Sequence, residues 1–562
     1  MSDLATGRVV RASLPADLRL LRGGLWLVLA VLAIGLVLPL GTLLLRAFED
    51  GAGRFVGLAN FIAYATTPAL LRSAWNSLWT AAVTTVIVVP LAFFYACALT
   101  RSCMPLKGLF RAVMLLPVLA PSLLPALALI YLFGNQGMLR GLLGGGSLYG
   151  PGGIIAAQVF YCFPHAALIL ATALSTADAR LYKAAEVLKA GRRRIFVSVT
   201  LPGARYGLVS AAVVVFTLVA TDFGIPKVIG GQFPVLATDV YKQVVGLQNF
   251  SMGAVVGLVL LLPAVGAFLL DRWAQGKQAG TLSGRALPYA PKPRAARDWP
   301  LLALCLLVAA ALVGLVGVAA WGSLIRFWPW NLSLTLGNYD FSRFDDTGWG
   351  TLGNSVRMAA LAAGFGTVLV FCTAWLMERG ARGGWLPGAV RLAATLPLAV
   401  PGLGLAFILF FNQPLNPLGF LYGTLAILVL NSVVHFYTVA HLTAVTAIRQ
   451  FDPEFEAVGA SLRVPAWVTF GRVTVPICLP AILDIAVYLF VNAMTTVSAV
   501  IFLYGPDTKL ASVAVVHMDE AGQVSAAAAM AVAILGVTTA VKLLHMALGG
   551  VVDRLTQAWR QR

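Results

Sequence analysis

Residues 178–204 read DARLYKAAEVLKAGRRRIFVSVTLPGA, and residues 452–478 read DPEFEAVGASLRVPAWVTFGRVTVPIC. Set 274 positions apart, Asp178 falls on Asp452, Leu188 on Leu462, Phe196 on Phe470, Val199-Thr200 on Val473-Thr474 and Pro202 on Pro476. Each stretch is polar, partly amphipathic, and ends in a proline just before a long apolar run. Each is long enough for a short helix lying flat at a membrane surface, which taken alone would only pin a loop. Recurrence at the same place in both halves points further, because a rigid element presented twice suits a symmetric partner.

The surroundings of the two stretches set the fold class. The chain has 562 residues, of which 59% are hydrophobic and 11% charged. A soluble domain carries roughly 25% charge, so too few charges are present to cover a water-facing surface. A soluble globular enzyme and a disordered chain are both excluded. Repeated apolar runs of about 20 residues are satisfied only as membrane-spanning helices. Twelve such runs are expected: 24–46, 74–100, 109–134, 153–175, 205–230 and 249–271 in the first half, then 300–322, 352–377, 387–412, 421–447, 477–504 and 524–549. The first run, Leu25–Leu45, lacks a small-residue cleavage site at its end, which predicts a retained span rather than a removed leader.

Net charge is +18, from 40 Lys and Arg against 22 Asp and Glu. With both termini inside, 29 of those 40 basic residues fall in inside segments and 10 in outside ones. That bias places both ends in the cytoplasm. It also accounts for the positive charge without nucleic acid, for which no soluble basic domain exists. The six cysteines form no C-x-x-C pair, so neither a disulfide framework nor a zinc site is expected.

Residues 272–299, DRWAQGKQAGTLSGRALPYAPKPRAARD, are polar, basic and rich in Pro and Gly, as in a flexible cytoplasmic connector. They divide the chain into a first unit, 1–271, and a second, 300–562. The repeat extends beyond the opening pair of stretches. Asn76-Ser77 matches Asn354-Ser355 and Arg101 matches Arg379 at an offset of 278, while Pro117 and Pro121 match Pro397 and Pro401 at 280. Six spans is an even number, so the two units share one orientation and are parallel repeats able to enclose one central path. The expected fold is an all-α polytopic membrane protein of about 12 transmembrane helices in two parallel six-helix repeats.

The paired stretches resemble the cytoplasmic coupling motif of binding-protein-dependent ABC importer permeases. That motif runs Glu-Ala-Ala, three residues to a Gly, then an apolar Leu-Pro about a dozen residues on. Here the matching residues are Lys183-Ala184-Ala185, Leu188, Phe196 and Thr200-Leu201-Pro202, then Glu456-Ala457, Leu462, Phe470 and Thr474-Val475-Pro476. The chain departs from the motif at Lys183, which replaces the usual Glu with Glu186 three residues later, and at Lys189 and Arg463, which replace the usual Gly.

The resemblance covers the whole chain as a fused permease of the type I importer kind. It implies that Ala184, Ala185, Glu186, Leu188 and Lys189, with Glu456, Ala457, Leu462 and Arg463, couple to two copies of a cytoplasmic ABC ATPase. It further implies a periplasmic binding protein as donor, a bacterial inner membrane location, and no chemical catalysis by this chain. ATP and Mg would bind the ATPase, and no cofactor is expected here. None of the nine lysines is followed by Ser or Thr, so the G-x-x-x-x-G-K-[ST] loop is absent.

A narrower resemblance concerns the solute. Residues 494–518, MTTVSAVIFLYGPDTKLASVAVVHM, followed by DEAGQVSAAAAMA, are similar to permeases assigned to 2-aminoethylphosphonate uptake. Fused permeases for ferric iron and thiamine are related to those, and give the alternative substrates.

Polar residues within spans are costly and usually face a cavity or a partner. Thr221 and Asp222 near the fifth span, and Asn492, Thr495, Thr496 and Ser498 near the eleventh, are therefore candidates to line the path. Interhelical hydrogen bonding is the other reading of such residues. Asp222 could attract a cationic group of the solute or pair with Lys227. The five histidines offer no chelating set, His435 and His441 being six apart. The outside loop 323–351, with Asp340, Asp345, Asp346 and several Trp, could meet a binding protein or form an interfacial aromatic belt. An ion-driven secondary transporter could also be built from parallel repeats and needs no ATPase. A membrane-embedded enzyme would need a clustered acid, base or metal set, which is not seen.

Overall fold

The computed structural model describes residues 15–175, 178–279, 289–379, 385–399, 403–413, 416–449, 458–459, 461–462 and 464–556. In the first half the helices are α1 (Leu20–Ala47), α2 (Pro68–Arg101), α3 (Lys107–Leu119), α4 (Leu123–Phe133), α5 (Pro151–Ser175), α6 (Ala179–Val187), α7 (Arg192–Thr221), α8 (Gly224–Ile229), α9 (Leu236–Tyr241) and α10 (Phe250–Ala279). The second half has α11 (Ala295–Leu324), the antiparallel hairpin β1 (Ile325–Phe327) and β2 (Asn331–Leu334), then α12 (Gly350–Arg379), α13 (Trp385–Thr395), α14 (Leu403–Phe411), α15 (Leu425–His435) and α16 (Tyr437–Arg449). It closes with α17 (Ala466–Ile477), α18 (Leu479–Thr495), α19 (Ala511–Glu520) and α20 (Val524–Thr556).

Eight helices among the described residues are long and apolar enough to cross a membrane, and three bent pairs raise the number to eleven. The expected third span is one of the bent pairs: α3 and α4 meet at 97°. The cause is local. Ala120 precedes Pro121, and the proline ring pushes that residue out of the helical region, to φ −94° and ψ 146°. The tenth span bends by 56° between α15 and α16, and the eleventh by 75° between α17 and α18. At the latter break Pro480, in the first turn of α18, brings no backbone N–H to the helix. The first half has Tyr206 in that register, and α7 runs on without a break. The expected ninth span contains α13 and α14, and residues 400–402 between them lie outside the described residues.

Packing crosses the sequence boundary between the two units. Leu25, Val28 and Leu32 of α1 are buried with Phe371, Val390, Tyr437 and Leu489 of the second half. Reciprocally, Cys305, Val308 and Leu312 of α11 are buried with Tyr95, Phe163 and Val215 of the first. Each half thus lends its first span to the other. A third cluster joins α4, α9 and α10 to α14, α19 and α20 between them.

Candidate coupling elements and translocation path

The first coupling stretch forms α6. Asp178 caps it, its carboxylate accepting from the Arg180 N–H at 2.9 Å, a contact worth about 1 kcal/mol. Two reversed hydrogen bonds close the other end, Lys189 N–H to Glu186 O at 2.9 Å and Ala190 N–H to Ala185 O at 3.0 Å. This is the Schellman arrangement, which sets its C′ residue in the left-handed region and so favours glycine. Lys189 occupies that position with φ +51°. The departure from the family motif therefore falls on the residue whose backbone most needs glycine. Ala179 and Tyr182 face the protein, while Leu181, Ala184, Glu186, Val187, Leu188 and Lys189 are exposed and Ala185 is half-buried.

In the second copy Glu456, Ala457 and Arg463 lie outside the described residues. Leu462 is exposed, as Leu188 is. The closing bond recurs from Val464 N–H to Gly459 O at 2.9 Å, 274 positions from its first-half counterpart. Both copies then pass into the membrane through a π-helical turn, Phe196–Thr200 and Phe470–Thr474. Such turns add one residue to the helical repeat and concentrate at functional sites. Phe196 packs edge-on to Phe93, and Phe470 lies on Trp375. Tyr182 reaches back from α6 to donate to the Thr200 hydroxyl at 3.1 Å. At about 1.5 Å per residue, the 30 residues of α7 form a rod of about 45 Å from the coupling helix to Thr221. It lies tight against α5, since a Cβ on Gly207 would stand 2.4 Å from the Ala173 methyl.

Thr221 and Ser498, two of the expected path residues, line one cavity of about 30 Å³. Phe223, Ala237, Val240, Gly257 and Leu260 complete its first-half wall, and Gly404, Leu405 and Phe502 its second-half wall. That space is large enough for a water molecule or two. Gly257 brings the halves close: a Cβ there would stand 2.9 Å from Leu405 Cδ2.

The other candidates are placed differently. Thr221, Thr495 and Asn492 turn their side chains to carbonyls one turn back in their own helices, Thr217, Val491 and Tyr488, rather than to a neighbouring helix. Thr496 gives its carbonyl to the Ser512 hydroxyl at 2.7 Å. Helix α7 stops at Thr221 instead of continuing to 230, and Asp222 stands in extended conformation after it. Its carboxylate accepts from Gln158 Nε2 at 2.9 Å and from the Ile225 N–H at 3.0 Å, so it secures the start of α8. It does not pair with Lys227, whose ammonium meets Glu520 instead.

Residues that composition did not single out hold these breaks. In the second half Asn431 of α15 donates its side chain to Ala499 O at 2.6 Å, next to Ser498. Asn76 donates to Pro234 O at 2.9 Å and Ser77 accepts from Leu236 N–H at 2.8 Å, fixing the start of α9. Asn354 donates to Asp507 O at 2.9 Å and Ser355 accepts from Ala511 N–H at 2.8 Å, fixing the start of α19. The Asn-Ser pairs seen as a repeat in the sequence are thus the same clamp used twice.

The described end of the connector is packed rather than free. Tyr289 lies on Tyr182 with ring centroids 4.5 Å apart, and the Arg101 guanidinium stands 4.8 and 4.6 Å from the two rings. Arg101 also donates to Leu174 O at 2.6 Å. Cys103 donates to Pro291 O at 3.1 Å, and Lys292 approaches Glu186 at 3.9 Å. In the loop after α11, Trp328 packs edge-on to Tyr131, and Asp345 pairs with Lys509.

Comparison with known proteins agrees with this architecture. The model of the family "binding-protein-dependent transport system inner membrane component" matches residues 88–278. A ferric transport system permease protein of Actinobacillus pleuropneumoniae is 26% identical over 481 residues, covering 82% of this chain and 68% of the relative. A molybdenum transport system permease protein of Azotobacter vinelandii is 32% identical over 168 residues, 29% of this chain and 74% of the relative. A thiamine transport system permease protein of Brucella abortus is 31% identical over 198 residues, 34% of this chain and 36% of the relative. The chain belongs to the family of inner membrane components of binding-protein-dependent transport systems, as a multi-pass ABC importer permease.

Proposed function

We propose that this chain is the whole transmembrane pathway of an ATP-driven importer, with units 1–271 and 300–562 acting as the two permease halves. Two cytoplasmic ATPase subunits dock on α6 and on its second-half counterpart, and a periplasmic binding protein delivers the solute. The observation that carries the reading is the doubled coupling element. Each copy has the same reversed closing bond and the same π-helical turn into a membrane helix that ends beside one cavity. A secondary transporter has no use for two such elements facing the cytosol.

For the solute, ferric iron comes ahead of 2-aminoethylphosphonate. The ferric permease of Actinobacillus pleuropneumoniae aligns over both halves. The molybdenum and thiamine permeases align over 29% and 34% of the chain. The phosphonate reading rests on residues 494–531 alone. The test is uptake into proteoliposomes holding the chain, its ATPase and its binding protein, with labelled ferric iron, thiamine or 2-aminoethylphosphonate. Uptake of ferric iron only with ATP and all components supports the reading. ATP-dependent uptake of another solute alone overturns the ferric assignment, and uptake without the ATPase overturns the importer mechanism.

A further inference from the structure

We propose that Lys227 and Glu520 form an outer latch that holds the solute path closed on the periplasmic side. The inference rests on reading the space between the halves as that path. Lys227 belongs to α8 of the first half and Glu520 to the end of α19 of the second. Their charged atoms lie 2.5 Å apart, with both side chains partly exposed. The Lys227 ammonium also stands 4.8 Å from the centre of the Tyr241 ring. Tyr241 in turn packs on Phe223 at 5.0 Å and faces Phe502 across the halves at 6.3 Å. Phe223 and Phe502 are walls of the cavity that Thr221 and Ser498 also line. An unbroken column therefore runs from an ion pair at the surface, through three aromatic rings, to the cavity, and its two sides belong to different halves.

The supports of the column fit this role. Lys227 is carried on a short helix whose start is fixed by Asp222 and Gln158 at the end of the α7 rod. Glu520 is carried on α19, whose start is fixed by Ser355 and which is tied to the end of α18 by the bond from Ser512 to Thr496. Lys227 is thus mounted beyond the end of α7, which begins at the first coupling element, and Glu520 beyond the end of α18, which follows the second through α17. Movement of α7 or α18 draws the two charges apart. Lys227 and Glu520 act as positioning residues for transport and need not touch the solute.

The test reads access to the cavity from outside. Cysteine is placed at Ser498, and separately at Thr221, and labelled with a membrane-impermeant methanethiosulfonate in right-side-out vesicles holding the chain alone. The parent chain without the added cysteine sets the background. Lys227→Met and Glu520→Gln should each raise the labelling rate about fivefold, the population change a partly exposed ion pair supports. The charge swap Lys227→Glu with Glu520→Lys should return it to near the starting rate. Equal rates in all variants, or a swap that labels as fast as the single changes, overturn the latch. Failure of the path reading looks different. In that case neither cysteine is labelled even in the assembled transporter during ATP turnover with loaded binding protein, and the latch proposal falls with it.

Discussion

Replacing Lys189 by glycine should stabilise the first coupling helix. Lys189 holds φ +51° at the C′ position of α6. A residue with a Cβ there costs about 1 kcal/mol relative to glycine, because the Cβ crowds the following carbonyl. The exposed Lys189 side chain has no buried packing to lose. A local gain of about 1 kcal/mol is about a fivefold fall in the opening equilibrium of the helix end. Two amides report it directly, those of Lys189 and Ala190, which make the closing bonds to Glu186 O and Ala185 O. Hydrogen exchange on the chain in nanodiscs should show these amides, or a peptide spanning them, exchanging about fivefold more slowly in Lys189→Gly. Lys189→Ala removes the charge and keeps the Cβ, so its exchange should stay near that of the parent. Equal slowing in the alanine and glycine variants would refute the conformational argument and assign the effect to charge. The pair also separates two roles of one residue: if Lys189 contacts the ATPase through its charge, both variants weaken ATPase co-purification alike.

Three further outcomes are expected. Ser77→Ala and Ser355→Ala each strand a buried backbone N–H, that of Leu236 or Ala511, at a cost of about 1–3 kcal/mol; thermal unfolding in detergent should show both losses and their near-additivity in the double variant, and an unchanged midpoint in either single variant would remove the clamp. Gly404→Ala should destabilise more than Gly257→Ala, because the new Cβ meets the Ala499 carbonyl at 2.6 Å in the first case and the movable end of Leu405 at 2.9 Å in the second; the reverse order of unfolding midpoints would contradict this packing. Burial and the neighbouring Glu520 push Asp519 up to about 6, against a partial counter-effect from Lys227. The cost of holding it in the folded state therefore builds as pH rises from about 4 to about 6 and is complete above that, so Asp519→Asn should gain stability over the parent at pH 7.5 and not at pH 4, and a gain that is the same at both would reject the shift.

The repeat was legible because it is written in residue identity. The 274 offset that aligns Phe196 with Phe470 also aligns the two π-helical turns and the two reversed closing bonds. The Asn-Ser pairs were visible as a match, but nothing in two polar residues within an apolar run says that they hold a loop 158 residues away. The exchange of α1 and α11 between halves was not legible, since lipid-facing and protein-facing apolar residues are chemically alike and a span does not name its neighbour. Asp222 was read from its cost in a membrane, which is real; the partner that relieves it, Gln158, lies in another helix. The expected third span, 109–134, runs through Pro117, Pro121 and Pro125 because prolines do not end a hydropathy run, and Pro121 turns the chain within it by setting the backbone of Ala120.

Two halves built alike are mounted unequally, and the inequality lies along the line on which force would travel in the proposed mechanism. On the first side, α6 is gripped at its inner face by Tyr182 against Arg101 and Tyr289, and by Lys292 near Glu186. It leads into α7, unbroken from Arg192 to Thr221. A displacement of α6 therefore reaches Thr221, Asp222 and the base of α8 as the movement of one rod. On the second side the same sequence elements lead into a 75° bend at Cys478, where Pro480 leaves the helix without a hydrogen bond. A displacement there is divided between rotation at the bend and translation of α18. Identical partners pushing equally on both coupling elements would thus deliver unequal motion to the two walls of the cavity. A single chain can fix such an inequality in its sequence, whereas two identical permease subunits cannot. The packed end of the connector belongs to the same asymmetry, because residues 289–292 follow the first unit only and bind the first coupling helix only among the described residues.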